Sequence, residues 1–166
     1  MRIGILSDTH NRIEALASAL DVLRREGIDT LFHCGDVTML ETAHLMSGFI
    51  VHYVYGNGDA DALEIRQMLL AANPDCTGGL VFSGELHGVK IAATHGHLAG
   101  KAMGLVASGE YDYVFHGHTH IQRNDLHSRT RTINPGALGG TRNDGRNLCI
   151  LDLRSGEIDF PAFDLA

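Results

Sequence analysis

The first 72 residues alternate three times between a short apolar segment and a segment whose apolar residues recur every three or four positions. The short segments, which predict strands, are residues 2–6, 30–34 and 49–55. The periodic segments, which predict helices, are residues 11–26, 40–46 and 61–72. Asn11 is placed to cap the first helix and Gly27 to end it. Strands joined through helices need crossover connections, so this half predicts a parallel β-α-β-α-β-α unit.

The second half changes to short strands separated by Gly, Asn and Ser turns. The predicted strands are residues 79–83, 89–93, 111–115, 125–133 and 147–153. One predicted helix, at about residues 98–108, interrupts them. Most connections have the length of hairpins, which favours a second, mixed or antiparallel sheet. With no linker or repeat in the sequence, we expect one α/β domain with two sheets over residues 1–166.

The chain is acidic, with a formal net charge of −7 from 13 Lys and Arg against 20 Asp and Glu. It has no basic run, which argues against long nucleic acid as a partner, because such binding needs many cations along the phosphate backbone. The apolar stretches are too short to span a membrane, and the opening residues predict a strand rather than a signal peptide. Three cysteines without a paired motif favour a reducing compartment. We therefore expect a cytoplasmic protein.

Five of the predicted strands end in Asp, Asn or His, nearly always beside a glycine. These polar residues are Asp8, His10, Asp36, Asn57, His95, His118 and His120. Ligands bind at the carboxyl ends of strands in open α/β sheets, so we expect the seven side chains to lie together. Each one alone is more often a cap, a turn or a surface residue. Their joint occurrence at five strand ends is what favours a binding site.

The donor types point to metal ions. Seven oxygen and nitrogen donors are too many for one tetrahedral zinc site, and they suit two metals bridged by a carboxylate. The lack of cysteine among them favours Mn²⁺, Fe²⁺, Ni²⁺ or Zn²⁺. The glycines allow the chain to turn sharply after each strand and leave room at the backbone.

The order of these motifs resembles that of the calcineurin-like metallophosphoesterases. Within that family the short chain is most similar to the small, minimal-domain phosphodiesterases of bacteria and archaea. The motifs are Asp8-x-His10, Gly35-Asp36, Gly56-Asn57, His95-Gly96-His97 and Gly117-His118-Thr119-His120, followed by Asn134-Pro135-Gly136. The resemblance implies a two-sheet β-sandwich flanked by helices and a hydrolase that acts on phosphoric esters.

The resemblance also implies how the residues divide between two divalent ions, with Asp36 bridging them and Mn²⁺ as the first choice. The other ligands of the first ion would be Asp8, His10 and His120. Those of the second would be Asn57, His95 and His118. His116, at the same two-residue spacing as His118 and His120, is expected to be a buried strand residue rather than a ligand.

The implied reaction is attack on phosphorus by a hydroxide that bridges the two metals, in line with the leaving oxygen. Asp36, Asn57 and His97 are the candidate catalytic residues. Backbone amides near Asn11 and Asn57 would support the phosphoryl oxygens. Arg142 would do the same, or would be an ordinary solvated loop residue.

The sequence departs from the family pattern at Gly58. Many members carry a histidine directly after the Gly-Asn pair, where it protonates the leaving group, and such general acid catalysis is worth about 10²–10⁴-fold. Either His97 replaces that histidine here, or the substrates have good leaving groups. His97 is otherwise a plain turn residue.

The leading hypothesis is a phosphodiesterase that acts on a small phosphodiester. The alternatives are a catalytically weak metal-site scaffold for protein binding, a nuclease, and a phosphomonoesterase. Filled ligand positions disfavour the scaffold, the missing basic groove disfavours the nuclease, and Gly58 disfavours the phosphomonoesterase. A homo-oligomer is compatible with a domain of this size, although the sequence offers no argument for the number of subunits.

Overall fold

The computed structural model describes residues 1–139 and 147–165, and within these ranges the chain forms eleven strands and four α-helices. The strands are β1 (Arg2–Leu6), β2 (Thr30–His33), β3 (Ile50–Val54), β4 (Thr77–Gly79), β5 (Val81–Leu86), β6 (Val89–Thr94), β7 (Tyr113–Phe115), β8 (Arg123–His127), β9 (Thr130–Asn134), β10 (Cys149–Asp152) and β11 (Ile158–Asp159). The helices are α1 (Ile13–Arg25), α2 (Leu40–Ala43), α3 (Ala62–Ala72) and α4 (Lys101–Ala107), and a 3-10 turn (His44–Met46) follows α2.

The first sheet contains the predicted parallel unit. Its strand order is β11-β10-β1-β2-β3-β4; β1 to β4 are parallel, and β10 pairs antiparallel with both β1 and β11. Helix α1 packs closely on it, since a Cβ at Gly4 of β1 would lie only 2.6 Å from Cδ1 of Leu23. Gly27 (φ 67°) ends that helix in the left-handed conformation, as expected.

The second sheet is mixed, with the order β5-β6-β7-β9-β8. Its three inner strands, β6, β7 and β9, are parallel, while the edge strands β5 and β8 pair antiparallel with β6 and β9. Two parallel crossovers therefore sit in a region where the sequence favoured hairpins. The mixed character of the sheet is nevertheless as predicted.

The two sheets pack face to face around an aromatic and aliphatic core. Phe32 of the first sheet makes edge-to-face contacts with Phe82 and Phe115 of the second, with ring centroids 5.0 Å apart in both pairs. Helices α1 to α3 bury a second apolar cluster on the outer face of the first sheet, and α4 covers the second sheet through Val106. This is the expected two-sheet sandwich flanked by helices.

Two of the predictions are wrong, because each of these segments was predicted as one strand and contains parts of two. Residues 79–83 divide at Leu80, where the chain leaves β4 of one sheet and enters β5 of the other. Residues 125–133 fold back at Ser128 and Arg129, a two-residue turn that joins β8 to β9. Ser128 has a φ of 56°, a conformation usually supplied by Gly or Asn in such turns, so the hairpin signal was missing.

Asn11 does not cap α1, which corrects another prediction. The helix begins at Ile13, and its N-cap residue is Arg12, without a side-chain cap hydrogen bond. Asn11 instead has a φ of 58°, and its Oδ1 accepts a hydrogen bond from the Thr42 hydroxyl. The residue ties the loop after β1 to α2.

All three cysteine thiols are free and buried, as expected without a disulfide framework. No helix in the described ranges is both long and apolar enough to cross a membrane.

Candidate metal centre

Loops from both sheets meet at the carboxyl ends of β1, β2, β6 and β7. Asp8 and His10 follow β1, Asp36 follows β2, and His95 follows β6. The loop after β7 brings His120 to the same place, where its Nε2 lies 3.3 Å from Oδ1 of Asp8. The structure thus gathers predicted ligands that are up to 112 positions apart in the chain.

A first group of possible metal ligands consists of Asp8, His10 and His120. The Nε2 atoms of His10 and His120 are 3.2 Å apart, and Nε2 of His10 is 3.8 Å from Oδ1 of Asp8. One ligand atom from each residue lies within 4.8 Å of the others, which is close enough for one cation to contact all three. These are the three residues that the resemblance assigned to the first metal.

A second group consists of Asp8, Asp36 and His95. Nε2 of His95 lies 3.5 Å from Oδ2 of Asp36 and 4.0 Å from Oδ1 of Asp8. Oδ2 of Asp36 is also 3.8 Å from Nε2 of His10, so this carboxylate faces both groups. Asp8 belongs to both groups by distance, which the sequence did not indicate.

His118 and Asn57 lie at the edge of these groups. The ring centroid of His118 is 5.1 Å from that of His95, and its backbone N–H donates to Oδ2 of Asp8 at 3.0 Å. Asn57 is exposed on the loop between β3 and α3. The N–H of the next residue, Gly58, donates to Oδ1 of Asp36 at 2.7 Å, so the loop lies against that carboxylate.

Two buried polar atoms show that the site suits a cation. Oδ1 of Asp8 and Nε2 of His95 have no hydrogen-bond partner among the described residues, although both side chains are fully buried. Leaving such a group unsatisfied costs about 1–3 kcal/mol, and more when it is charged. Because both atoms can donate electron pairs to the same ion, the residues fit a divalent metal.

The predicted ligands are held in an uncommon backbone conformation. Among the described residues, nine non-glycine residues have a positive φ, and five of them are predicted ligands. They are Asp8 (55°), His10 (45°), Asp36 (58°), His118 (67°) and His120 (60°). Such conformations persist only where the surrounding structure enforces them, and they cluster at functional sites. The loops are therefore shaped to aim side chains inward at some cost in stability.

Two motif glycines make room for the carboxylates. A Cβ at Gly117 would overlap Oγ of Ser7 and lie 2.6 Å from Oδ2 of Asp8. A Cβ at Gly56 would overlap the carboxylate of Asp36. The space that these glycines leave is thus already filled by the site's own acids.

The structure identifies Asp59 as a support that the sequence did not assign. Its Oδ2 accepts hydrogen bonds from the N–H groups of Asp36 (2.9 Å) and Gly56 (2.7 Å), and its Oδ1 accepts one from Thr38 (2.7 Å). One carboxylate thereby joins the loops after β2 and β3. The only sequence signal was an acid directly after Gly56-Asn57-Gly58.

A second support orients His95 and Asp8. The carbonyl of Cys34 accepts a hydrogen bond from Nδ1 of His95 at 2.7 Å, which places the proton on Nδ1 and directs Nε2 to the carboxylates. The same carbonyl accepts from Oγ of Ser7, which is also 2.6 Å from Oδ2 of Asp8. The Cys34 side chain lies in the core between the sheets, as expected for a structural residue.

A third support is Asn134, the first residue of the Asn-Pro-Gly motif. This fully buried side chain donates from Nδ2 to the Gly117 carbonyl and to the Thr119 hydroxyl, both at 3.0 Å. Nδ1 of His116 is 3.3 Å from the same amide nitrogen. His116, which follows β7 and is partly buried, thus contacts Asn134, and Asn134 holds the loop that carries His118 and His120.

Neighbouring groups shift the pKa values of the ionisable side chains in the site. Burial alone raises the pKa of Asp36, but the His95 ring and the Gly58 N–H outweigh it and lower the pKa to about 2. Burial lowers the pKa of His95, but Asp36 and the Cys34 carbonyl outweigh it, so the net direction is upward. Asp36 is therefore ionised at neutral pH, as a metal ligand must be.

His97 lies beside the groups. Its ring centroid is 5.4 Å from that of His95 and 6.4 Å from that of His118. Its Nδ1 is buried without a partner in the described chain, and burial together with the nearby histidines lowers its pKa. At Gly58, a Cβ would be 3.1 Å from Oδ1 of Asp36, so a side chain there would press on the carboxylate.

The amides near Asn11 are not free for phosphate, contrary to the sequence-based expectation. The N–H of His10 donates to the Asp36 carbonyl (2.9 Å), and that of Asn11 donates to Val37 (3.3 Å). Arg142, the other predicted phosphate contact, lies outside the described residues.

Comparison with known proteins identifies the family. Residues 1–156 match the model of the calcineurin-like phosphoesterase superfamily domain. The chain is 31% identical over 161 residues to a phosphodiesterase of Methanocaldococcus jannaschii, covering 95% of this chain and 96% of the relative. The solved structure of an archaeal phosphodiesterase is similar, with a TM-score of 0.92 and 29% identity, covering 97% of this chain and 99% of that one.

A more distant structural similarity is also found. The zinc complex of Vps29 from Entamoeba histolytica has a TM-score of 0.69 at 18% identity, covering 95% of this chain and 89% of that one. At that identity the likeness concerns the fold alone.

Proposed function

Since this chain belongs to the calcineurin-like phosphoesterase superfamily and is a hydrolase of phosphoric esters, we propose that it hydrolyses a small phosphodiester with two divalent metal ions. Mn²⁺ is the proposed ion, with Ni²⁺, Fe²⁺ and Zn²⁺ as the other candidates. The whole chain acts as one domain in this proposal, and the cytoplasm is its compartment. The relative that carries the name phosphodiesterase spans nearly all of the chain, which favours diesters.

The observation that carries the proposal is the pair of ligand groups that share Asp8. Asp8, His10 and His120 would hold one ion. Asn57, His95 and His118 would hold the second, and Asp36, whose Oδ2 lies 3.5 Å from Nε2 of His95 and 3.8 Å from Nε2 of His10, would be shared by the two. The buried, unpartnered Oδ1 of Asp8 and Nε2 of His95 are the atoms for which an ion is most clearly needed.

Bound divalent ions would supply positive charge for the phosphate and lower the pKa of the attacking water. The chain's own residues do the rest. Asp8 and Asp36 bring two negative charges into a largely buried site, and the Ser7 and Gly58 hydrogen bonds keep their oxygens in place. His97 stands beside the site, with its ring centroid 5.4 Å from that of His95, and is the proposed proton donor to the leaving oxygen.

The proposal is tested with metal-stripped protein and a matched pair of aryl phosphates, one diester and one monoester. We expect activity on the diester to return when Mn²⁺ is added, and to exceed activity on the monoester. Asp36→Ala should lose it, whereas the exposed Asp75→Ala should not.

Metal binding is measured on the same samples by calorimetry. Two bound ions per chain support the dinuclear site, and one bound ion refutes it. Stoichiometric metal with no turnover of either ester would reject the enzyme and favour the protein-binding scaffold.

A further inference from the structure

Strand β8 is an open edge of the second sheet. All five of its residues, Arg123–His127, are exposed, and Leu126 retains 60% of its surface. On one side β8 pairs with β9, and on the other it has no strand partner in the described ranges 1–139 and 147–165. Helix α4 packs on β6, β7 and β9, and because every residue of β8 is exposed, both faces of β8 lie open.

The hydrogen bonds of β9 show which groups of β8 face outward. The N–H of Arg131 donates to the Asp112 carbonyl at 2.8 Å, and the Ile133 carbonyl accepts from His116 at 3.0 Å. Both bonds lie on the β7 side of β9. Successive residues of a strand direct their backbone N–H and C=O groups to opposite sides, so the backbone groups of Thr132 face β8.

Thr132 is paired with Asp125, so the backbone groups of Asp125 are directed to β9. Those of Asn124 and Leu126 then point away from the sheet, to the free edge. The edge offers two N–H and two C=O groups at the spacing that another antiparallel strand would need.

We propose that a second copy of this chain pairs antiparallel with β8, joining two sheets across a two-fold axis at Asn124. In this register Arg123 lies opposite Asp125 of the second copy, and Asp125 lies opposite Arg123 of the second copy. Asn124 meets its own counterpart through outward-facing backbone groups. The two opposite-charge pairs stabilise the register, as cross-strand ion pairs do.

The neighbouring registers are disfavoured by charge. A shift by two residues in one direction places Asp125 against Asp125, and a shift in the other places Arg123 against Arg123. Like charges directly opposite each other destabilise a strand pair. A shift by one residue places inward-facing backbone groups against outward-facing ones and loses the hydrogen bonds.

The charges of β8 do not protect it from self-pairing in the way that edge charges usually do. Protection works when like charges meet, as in a row of lysines. Here Arg123 and Asp125 alternate in sign on one face, where they are 4.0 Å apart. A five-residue strand pair buries less area than a stable interface, so we expect a weak, concentration-dependent dimer.

The test is sedimentation equilibrium of the full chain from micromolar to millimolar concentration. Arg123→Asp places two Asp–Asp pairs in the interface, and Asp125→Arg places two Arg–Arg pairs there. Each should raise the dissociation constant about tenfold, because two attractive pairs become repulsive. The double variant restores both pairs and should regain the wild-type constant.

Two further variants separate pairing from surface charge. Leu126→Pro removes an N–H that faces the free edge and costs no bond to β9, so it should abolish the dimer while the fold remains. Leu126→Ala should leave the dimer in place. Reversing the exposed Asp21–Arg24 pair of α1 (2.7 Å) is the charge control and should change nothing.

The proposal is independent of the hydrolytic reaction, and activity should be unchanged in all of these variants. A monomer at every concentration would overturn it. So would a dimer that Leu126→Pro leaves intact. A double variant as weak as the single ones would overturn the register.

Discussion

Replacing Asp59 by Asn tests whether this one carboxylate holds the two loops of the metal centre together. Oδ2 accepts two backbone N–H groups and Oδ1 accepts the third. An asparagine oxygen at the Oδ2 position keeps two of these bonds without their charge. Its NH₂ group then faces the N–H of Thr38, so two donors face each other and the hydrogen bond from Thr38 is lost.

The magnitude follows from that change. A hydrogen bond to a charged group contributes about 1.5–3 kcal/mol and a neutral one about 0.5–1.5 kcal/mol. One bond lost and two weakened should lower the free energy of unfolding by about 3.5–6 kcal/mol. Because Asp59 fixes the backbone of Asp36, metal affinity should also fall, by about 10–100-fold as for other residues that support metal ligands.

The assay is urea unfolding of the metal-free protein, followed by calorimetric titration with Mn²⁺. The exposed Asp75→Asn is the matched control and should leave both quantities unchanged. If Asp59→Asn behaves like the control in both measurements, the loops are held by other contacts and the reasoning is refuted.

Three further changes are predicted. Gly117→Ala should lower the free energy of unfolding by about 1–3 kcal/mol, because its Cβ overlaps Ser7, and a thermal melt that matches the wild type would contradict this. His97→Asn should slow hydrolysis of alkyl diesters by about 10²-fold and aryl diesters much less, since only poor leaving groups need a proton; equal loss on both would exclude that role. Burial lowers the pKa of His52 to about 4 in the folded protein. In the unfolded chain the His52 pKa is near 6.5, so between these two pH values only the unfolded chain binds the proton. The stability that this pKa difference contributes is present above pH 6.5 and is lost as the pH falls towards 4. His52→Phe should therefore flatten the dependence of the unfolding free energy on pH between these values. An unchanged slope would disprove the prediction.

Local patterns were sufficient for much of the fold and of the candidate site. The β-α alternation of residues 2–72 predicted the parallel strands β1 to β3, because strand and helix periodicity are read within a few residues. Asp8, Asp36 and His95 were recognised since each follows an apolar run beside a serine or a glycine. Their roles as ligands stay predictions.

Local patterns failed where the conformation of a segment depends on contacts with residues far away in the sequence. Leu80 interrupts an otherwise continuous strand signal only because β4 and β5 belong to different sheets. The turn at Ser128 has no glycine to mark it, and its conformation is held by the pairing of β8 with β9.

The sequence by itself determined which side chains stand at the strand ends, because that depends on periodicity and turn residues over short spans. Only the tertiary structure decided that Asp8 faces both ligand groups, that Asp59 joins two loops 23 residues apart, and that Asn134 holds the loop of His118. These contacts arise when the two sheets pack and bring loops from both to one edge. No local preference of the chain encodes this packing of the two sheets, since the free energy that stabilises it comes from burial of the core between them.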